Sequence, residues 1–227
     1  MLPVGENLMN KANIIEAIKQ EKIIAILRGL NEEELINTVA AMEKGGVYFA
    51  EVTFNSKGEP DDETTAGYIR TLAKRFAGKV HVGAGTVLTE RQAILAAKAG
   101  AEFIISPDAN PKVIRKTVKL GMVSIPGALT PSEAMTAYGA GADFVKLFPI
   151  AELGIPYLKA ITAPLSQIPF LAVGGVDENN IADFIRAGAC GAGIGNGIVN
   201  KQLIKAGDFE GITRLAEKYA SALQTLK

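Results

Sequence analysis

The chain has 227 residues, of which 24 are basic and 24 acidic, with one histidine, one cysteine and no tryptophan. Zero net charge provides no basic field for nucleic acid or an anionic membrane, so we expect neither as a partner. A single histidine excludes a His-rich zinc site and argues against a Ser-His-Asp triad, and a single cysteine excludes an internal disulfide.

The start of the chain lacks the pattern of a targeting signal. Residues 1–10 have neither the charged start nor the apolar core of a secretory signal peptide. No apolar run approaches the roughly 20 residues that span a membrane. We therefore expect a cytoplasmic protein, and the single cysteine agrees with a reducing compartment. Residues 1–10 are predicted to be flexible. Because no composition shift marks a boundary, residues 1–227 are predicted to form one domain.

Short apolar runs alternate with helical patterns along the chain. An extra helix, Asn13–Gln20, is predicted before the first strand. Eight strands are predicted, the last with the weakest pattern: Ile23–Arg28, Tyr48–Phe54, Val80–Gly83, Phe103–Ser106, Val123–Pro126, Phe144–Phe148, Phe170–Val173 and Ala192–Ile194. Apolar residues at a spacing of about 3.6 predict the helices between and after them: Glu32–Lys44, Thr89–Ala99, Pro131–Tyr138, Ile181–Ala187 and Asp208–Leu226.

This alternation requires parallel strands joined by helical crossovers. Eight units in a chain of this length predict an α/β protein, a single (β/α)8 TIM barrel with an extra N-terminal helix. A doubly wound open sheet is the alternative. Such sheets usually carry a GxGxxG turn after the first strand, whereas this chain has Arg28-Gly29-Leu30-Asn31 there.

A barrel places its reacting groups at the carboxyl ends of its strands. Lys146 lies in the sixth predicted strand on the face of Phe144 and Phe148, so we expect its side chain to point into the barrel. Burial lowers the pKa of a lysine and frees its amine to attack a carbonyl carbon. The alternative is a lysine at the edge of the strand that reaches water.

Two further charged residues lie in predicted strands. Glu51 shares a strand face with Phe49 and Thr53, and it could act as a general acid/base or form a structural pair with Lys146. Arg28 ends the first strand, where a guanidinium group could bind a carboxylate or a phosphate. A surface position is the alternative for Arg28.

Glycine-rich turns follow the third, seventh and eighth predicted strands. They are Gly83-Ala84-Gly85-Thr86, Gly174-Gly175-Val176-Asp177 and Gly193-Ile194-Gly195-Asn196-Gly197. The loops after strands seven and eight are where barrels bind phosphate through backbone N–H groups. We therefore interpret the last two turns as a phosphate site, with simple tight turning as the alternative.

Three other features are predicted to have no catalytic role. His81, between Val80 and Val82, is predicted to face the helices. The acidic run Glu59–Glu63 is predicted to be solvated surface rather than a calcium site. Cys190 is predicted to be a small packed residue.

Six motifs in order carry a resemblance to a known family. They are Glu51-Val-Thr-Phe-Asn55, Gly83-Ala-Gly-Thr-Val-Leu88, Ile105-Ser-Pro107, Pro126-Gly127, Lys146-Leu-Phe-Pro149 and Ala172-Val-Gly-Gly-Val176. Together they resemble the class I 2-keto-3-deoxy-6-phosphogluconate / 4-hydroxy-2-oxoglutarate aldolases. The resemblance implies a homotrimeric barrel that cleaves 2-keto-3-deoxy-6-phospho sugar acids to pyruvate and glyceraldehyde 3-phosphate. It also implies 4-hydroxy-2-oxoglutarate as a further substrate, and neither a metal nor a cofactor.

The resemblance also implies roles for individual residues. Lys146 is the implied Schiff-base lysine and Glu51 the implied general acid/base. The other implied contacts are Thr86, Pro107 and Phe148 for the pyruvate pocket, Arg28 for the carboxylate end, Asn55 and Val173 for the rest of the substrate, and Gly174, Gly175, Gly195 and Asn196 for the phosphate.

Three residues depart from the gluconate pattern of that family. Many of its members have arginine at the position of Asn55, threonine at that of Val173 and serine at that of Asn196. Asn55 and Val173 resemble the 2-keto-3-deoxy-6-phosphogalactonate branch instead. Two alternatives stay open: another phosphate-binding barrel enzyme, such as a phosphosugar isomerase, an epimerase or a thiamin-phosphate-type synthase, and a non-catalytic metabolite-binding barrel.

Overall fold

The computed structural model describes residues 4–224 and residue 226 of the chain. The strands are β1 Ile23–Leu27, β2 Phe49–Thr53, β3 His81–Gly85, β4 Phe103–Ile105, β5 Val123–Ile125, β6 Gly127–Ala128, β7 Val145–Leu147, β8 Phe170–Val173 and β9 Gly191–Ile194. The helices are α1 Val4–Glu21, α2 Glu32–Lys44, α3 Asp62–Arg75, α4 Glu90–Ala99, α5 Pro111–Lys119, α6 Pro131–Gly139, α7 Gly154–Thr162, α8 Ile181–Arg186, α9 Lys201–Lys205 and α10 Phe209–Gln224.

All paired strands are parallel, and they follow one another around a barrel in the order β5-β4-β3-β2-β1-β9-β8-β7-β6. Strands β5 and β6 are two halves of one strand, interrupted at Pro126, whose nitrogen carries no hydrogen to donate. The first half pairs with β4 and the second with β7. Counted as one, they complete eight strands around the barrel, and the predicted (β/α)8 class is confirmed.

The barrel interior is filled by inward-facing side chains. Ile24, Phe49, Phe103, Phe144 and Leu171 belong to one buried apolar cluster, separate from the larger cluster between the strands and the outer helices. Helix α1 adds Ile14 and Ile18 to the interior cluster and so covers the amino-terminal ends of the strands. With that end closed, the interior opens toward the carboxyl ends of the strands.

Several boundaries differ from the predictions. Helix α1 begins at Val4 rather than at Asn13, so the described part of the segment predicted to be flexible is helical, and residues 1–3 lie outside the described residues. Helices α3, α5, α7 and α9 were not predicted. In the acidic run, Asp61 is the N-cap of α3 and accepts a hydrogen bond from the Thr64 backbone N–H. The single-domain organisation stays a prediction.

The prediction for His81 was wrong. His81 pairs with Phe49 in the β2–β3 register, so both side chains share the inner face. The two rings stack with centroids 4.5 Å apart, and Nδ1 of His81 lies 2.5 Å from Oε2 of Glu102. The alternation places Val80 and Val82 toward the helices, and the histidine therefore takes the inward position.

Candidate active site

A cavity of about 550 Å³ opens at the carboxyl ends of the strands. Its lining includes most of the residues singled out in the sequence: Arg28, Thr86, Pro107, Lys146, Phe148, Val173, Gly174, Gly175, Gly195 and Asn196. These residues come from β1, β3, β4, β7, β8 and β9 or from the loops that directly follow them. The parallel barrel thus brings residues that are distant in sequence into one site.

Lys146 lies on β7 with its amine directed into this cavity. The residue is only 7% exposed, and Nζ lies 4.7 Å from the centroid of the Phe148 ring. Burial lowers the pKa of the Lys146 amine, because the charged form loses its hydration. The negative charge of Glu51 partly opposes that shift, and the positive charge of Arg28 adds to it.

Glu51 lies on β2, on the opposite side of the barrel from Lys146. Its side chain is 1% exposed, and Oε2 has no hydrogen-bond partner among the described residues. Burial raises the pKa of the Glu51 carboxyl, and the charges of Lys146 and Arg28 partly lower it again. Among the ion pairs of the described residues, which extend to 4.0 Å, none joins Glu51 to Lys146. The two groups therefore interact at longer range.

The carboxyl group of Glu51 occupies space that a glycine on the next strand leaves open. Gly85 ends β3 on the inner face, and a Cβ atom placed on it would lie 1.7 Å from Oε1 of Glu51. It would also lie 2.4 Å from Cδ of the same side chain. Any larger residue at position 85 must displace the carboxyl group. The need for glycine here is steric, and no positive φ angle is involved.

The opposite pKa shifts of Lys146 and Glu51 have one chemical consequence. A lysine with a lowered pKa has more neutral amine near pH 7, and the neutral amine is the form that attacks carbonyl carbons. A carboxyl group with a raised pKa keeps its proton to higher pH than an ordinary glutamate and can act first as an acid and then as a base. The barrel interior thus contains a nucleophile and an electrostatically coupled acid/base group that are suited to imine chemistry.

Arg28 and Thr86 form a polar pair at the mouth of the cavity. Nη2 of Arg28 donates a hydrogen bond of 3.2 Å to Oγ1 of Thr86. Thr86 adopts a left-handed backbone conformation with a φ of 55°, which is unusual for a β-branched residue and turns the chain sharply after β3. The exposed guanidinium retains donors for an anionic group of a bound molecule.

The two later glycine turns lie side by side, because β8 pairs with β9. Gly174 and Gly175 have φ angles of 92° and 77°, a conformation that favours glycine. A Cβ atom on Gly175 would lie 2.1 Å from Cβ of Ala151, so the loop after β7 packs directly against this turn. Gly195 and Asn196 border the same side of the cavity. Bare backbone N–H groups next to a cavity suit an anionic oxygen.

Among the predicted substrate- and phosphate-binding residues, Asn55 alone does not line this cavity. It lines a separate pocket of about 130 Å³ between the loops after β1 and β2. Its Nδ2 donates to the Glu59 carbonyl oxygen, and its Oδ1 accepts from the Lys57 backbone N–H. Arg28 and Thr86 border both pockets and connect them.

Of the other residues that line the cavity, Val176, Gly193 and Gly197 belong to the two glycine turns predicted as a phosphate site, and Ile26 was not predicted. The strand alternation could have found Ile26, which shares a face with Arg28. Within the described part of the chain, no three His, Cys, Asp or Glu side chains lie close enough together to hold a metal ion. None of the described helices has the length and hydropathy of a membrane-spanning helix.

Comparison with known proteins gives one consistent family. The family model for KDPG and KHG aldolases matches residues 14–215. The 2-dehydro-3-deoxy-6-phosphogalactonate aldolase of Escherichia coli K12 is 36% identical over 206 residues, which cover 90% of this chain and 94% of that protein.

Two solved structures show the same relationship in three dimensions. The native KDPGal structure superposes with a TM-score of 0.81 at 35% identity and covers 89% of this chain and 94% of its own. The KDPG aldolase of Legionella pneumophila, captured with pyruvate as a covalent carbinolamine, has a TM-score of 0.80 at 29% identity. That match covers 89% of this chain and 96% of the Legionella chain.

Proposed function

This chain belongs to the KDPG and KHG aldolase family, and from that membership we propose that Lys146 and Glu51 perform its carbon–carbon bond cleavage. The protein is a class I aldolase that cleaves 2-keto-3-deoxy-6-phospho sugar acids, which are small phosphorylated keto acids. The observation that carries the assignment of residues is a buried Lys146 amine that lines the cavity and is electrostatically coupled to the buried carboxyl group of Glu51 across the barrel interior.

In the first half of the reaction, the neutral Lys146 amine attacks the C2 carbonyl carbon of the substrate. The resulting carbinolamine must lose its hydroxyl group as water to become an iminium. Glu51, whose raised pKa favours the protonated form, supplies the proton for that departure. The reaction thus leaves a carboxylate beside a cationic iminium, and each charge stabilises the other in the buried site.

In the second half, the Glu51 carboxylate takes the proton of the C4 hydroxyl group, directly or through water. The C3–C4 bond breaks, its electron pair moves into the iminium, and the products are an enamine and glyceraldehyde 3-phosphate. Glu51 then returns a proton to the enamine carbon. Hydrolysis of the new iminium releases pyruvate and restores the free amine. The iminium accepts the electron pair, which is the role of the metal ion in metal-dependent aldolases.

The remaining cavity residues orient the substrate in this proposal. Arg28 holds the carboxylate end, and Thr86, Pro107 and Phe148 border the pyruvyl portion. The phosphate binds to the turns that contain Gly174, Gly175, Gly195 and Asn196. Phosphate oxygens suit these turns because backbone N–H groups can approach them without side-chain obstruction.

We further propose the galactonate C4 epimer as the preferred substrate, on the basis of Val173 in the cavity and of the similarity to the galactonate-type relative. Val173 lines the cavity and offers methyl groups rather than a hydroxyl. The measurement is pyruvate release from the two C4 epimers of the 6-phosphorylated acid, with 4-hydroxy-2-oxoglutarate as a third compound. A higher kcat/KM for the galactonate epimer is expected, and a clear preference for the gluconate epimer would remove this part of the proposal.

A homotrimer in the cytoplasm completes the proposal. The family resemblance supports the trimer, and the exposed Met135 and Tyr138 on α6 provide apolar surface for a subunit contact. Cys190 is a free thiol whose pKa burial raises to about 12, and a chain with one unpaired cysteine agrees with a reducing compartment. Light scattering of the purified protein measures the subunit number.

A further inference from the structure

Tyr219 lies behind the two glycine turns rather than in the cavity. It projects from α10, the C-terminal helix, which packs against α2, α8 and α9. Its side chain is 0% exposed. A Cβ atom placed on Gly197 would lie 2.0 Å from the Tyr219 hydroxyl oxygen and 3.0 Å from Cζ. The phenol therefore supports the turn after β9 from beneath.

The same hydroxyl group also lies near the turn after β8. Burial raises the pKa of the Tyr219 hydroxyl, and the negative charges of Glu178 and Asp177 raise it further. Both acidic residues follow the Gly174-Gly175-Val176 turn directly in the chain. One side chain from the C-terminal helix thus contacts the turn after β9 and lies close to the acidic residues that follow the turn after β8.

The position of this hydroxyl group has a cost that packing alone does not explain. Among the described residues no hydrogen bond of this oxygen has ordinary geometry, although the side chain and backbone of Glu178 lie close enough to affect its pKa as hydrogen-bonding groups. A buried hydroxyl group without a well-formed hydrogen bond is destabilising, whereas phenylalanine fills the same ring volume without that loss. The hydroxyl oxygen does, however, occupy the space directly under Gly197.

We propose that Tyr219 is a positioning residue that sets the separation of the two glycine turns and thereby favours phosphorylated over unphosphorylated substrates. This inference rests on the proposed phosphate site. Tyr219 does not line the cavity, so its effect passes through Gly197, which does. Lys146 and Glu51 lie on other strands, so the chemistry of the imine does not depend on Tyr219.

The steric relation between Tyr219 and Gly197 allows a paired test. Gly197 has no positive φ angle, so alanine fits its backbone, and the tyrosine makes the closest contacts that oppose it, with a milder one of 3.3 Å to Cγ2 of Ile194. Gly197→Ala pushes the turn away from Tyr219. Tyr219→Phe removes the oxygen at 2.0 Å and leaves the milder approach of 3.0 Å to Cζ. The double variant is therefore expected to recover part of the loss of the alanine variant.

The experiment measures kcat and KM for pyruvate release from the phosphorylated acid and from the same acid without phosphate. For Tyr219→Phe we expect a KM for the phosphorylated acid about three- to tenfold higher, in the range of one neutral contact. Its kcat, its kinetics with the unphosphorylated acid and its borohydride trapping of pyruvate should stay as in the wild type. Thr38→Val is the matched control, because Thr38 on α2 carries another buried hydroxyl without a partner.

Equal losses on both substrates, an unchanged KM, or no recovery in the double variant would each overturn the role of Tyr219. Failure of the proposed function itself gives a different result, because wild-type protein would then trap no pyruvate. The two failures are thus distinguishable in the same set of assays.

Discussion

Gly85→Ala is expected to abolish most aldolase activity while leaving the fold intact. The added Cβ atom would lie 1.7 Å from Oε1 of Glu51, and Cβ atoms essentially never come within 3.0 Å of another atom. Since Gly85 is held in β3 by the strands on both sides, the carboxyl group must retreat by roughly 1.3 Å or more.

The size of the effect follows from that displacement. A misplacement of about 1 Å in a catalytic group can lower a rate by about 100-fold, and general acid–base catalysis as a whole contributes about 10²- to 10⁴-fold. We therefore expect kcat for pyruvate release to fall about 100-fold. Gly67→Ala is the control, because a Cβ atom on Gly67 would meet nothing within 4 Å. Alanine in the interior of α3 should stabilise the protein slightly and leave kcat unchanged.

The interpretation requires that the whole effect pass through Glu51. Gly85→Ala should therefore lower kcat little further in a Glu51→Gln protein, where the acid/base group is already lost. If the two losses multiply in the double variant, or if Gly85→Ala retains wild-type kcat with a folded circular-dichroism spectrum, the steric reasoning is wrong.

Three other outcomes are expected from the same site. Glu51→Gln should gain thermal stability over the wild type as the pH rises above about 4.5, because the raised pKa makes ionisation of the buried carboxyl unfavourable in the folded state only. Melting temperatures in acid and at neutral pH check this, and a pH-independent difference contradicts it. Glu51→Gln should also lower the Lys146 pKa, so the acidic limb of the pH profile for imine formation moves to lower pH. A shift of this limb to higher pH would contradict the conclusion that the Glu51 charge raises the Lys146 pKa. Arg28→Met should raise KM roughly 10- to 100-fold through loss of a charge-assisted contact, whereas Asn55→Ala, in its separate pocket, should change KM less than about threefold. Similar KM values for the two variants would show that both pockets contribute to substrate binding.

The barrel could be predicted from the sequence because its strands are short apolar runs bounded by turns. The β8 prediction agrees at both ends, and the boundaries of α2 also agree. The sequence did not predict the interruption of the strand at Pro126. The interruption arises because β4 pairs with the first half of that strand and β7 with the second half. Helix α3 was missed although Asp61 is a typical N-cap residue, because its acidic first turn resembles a solvated loop.

The site could be predicted only as a set of residues. Strand alternation was sufficient to place Lys146 and Glu51 on inner faces, where the structure has them buried. Alternation alone did not fix the orientation of His81, because a histidine between two valines fits either face. The contacts of Gly85 with Glu51 and of Tyr219 with Gly197 join distant parts of the chain. Such contacts follow from packing in three dimensions and have no local signal in the sequence.

Reductive trapping tests the assignment of the nucleophile most directly. The protein is incubated with pyruvate and sodium borohydride, digested and examined by mass spectrometry, with Lys146→Met as the control. We predict one reduced pyruvate adduct, on the peptide that contains Lys146, and no adduct in the variant. Absence of an adduct in the wild type, or an adduct on another lysine, would contradict the role of Lys146 as the Schiff-base residue.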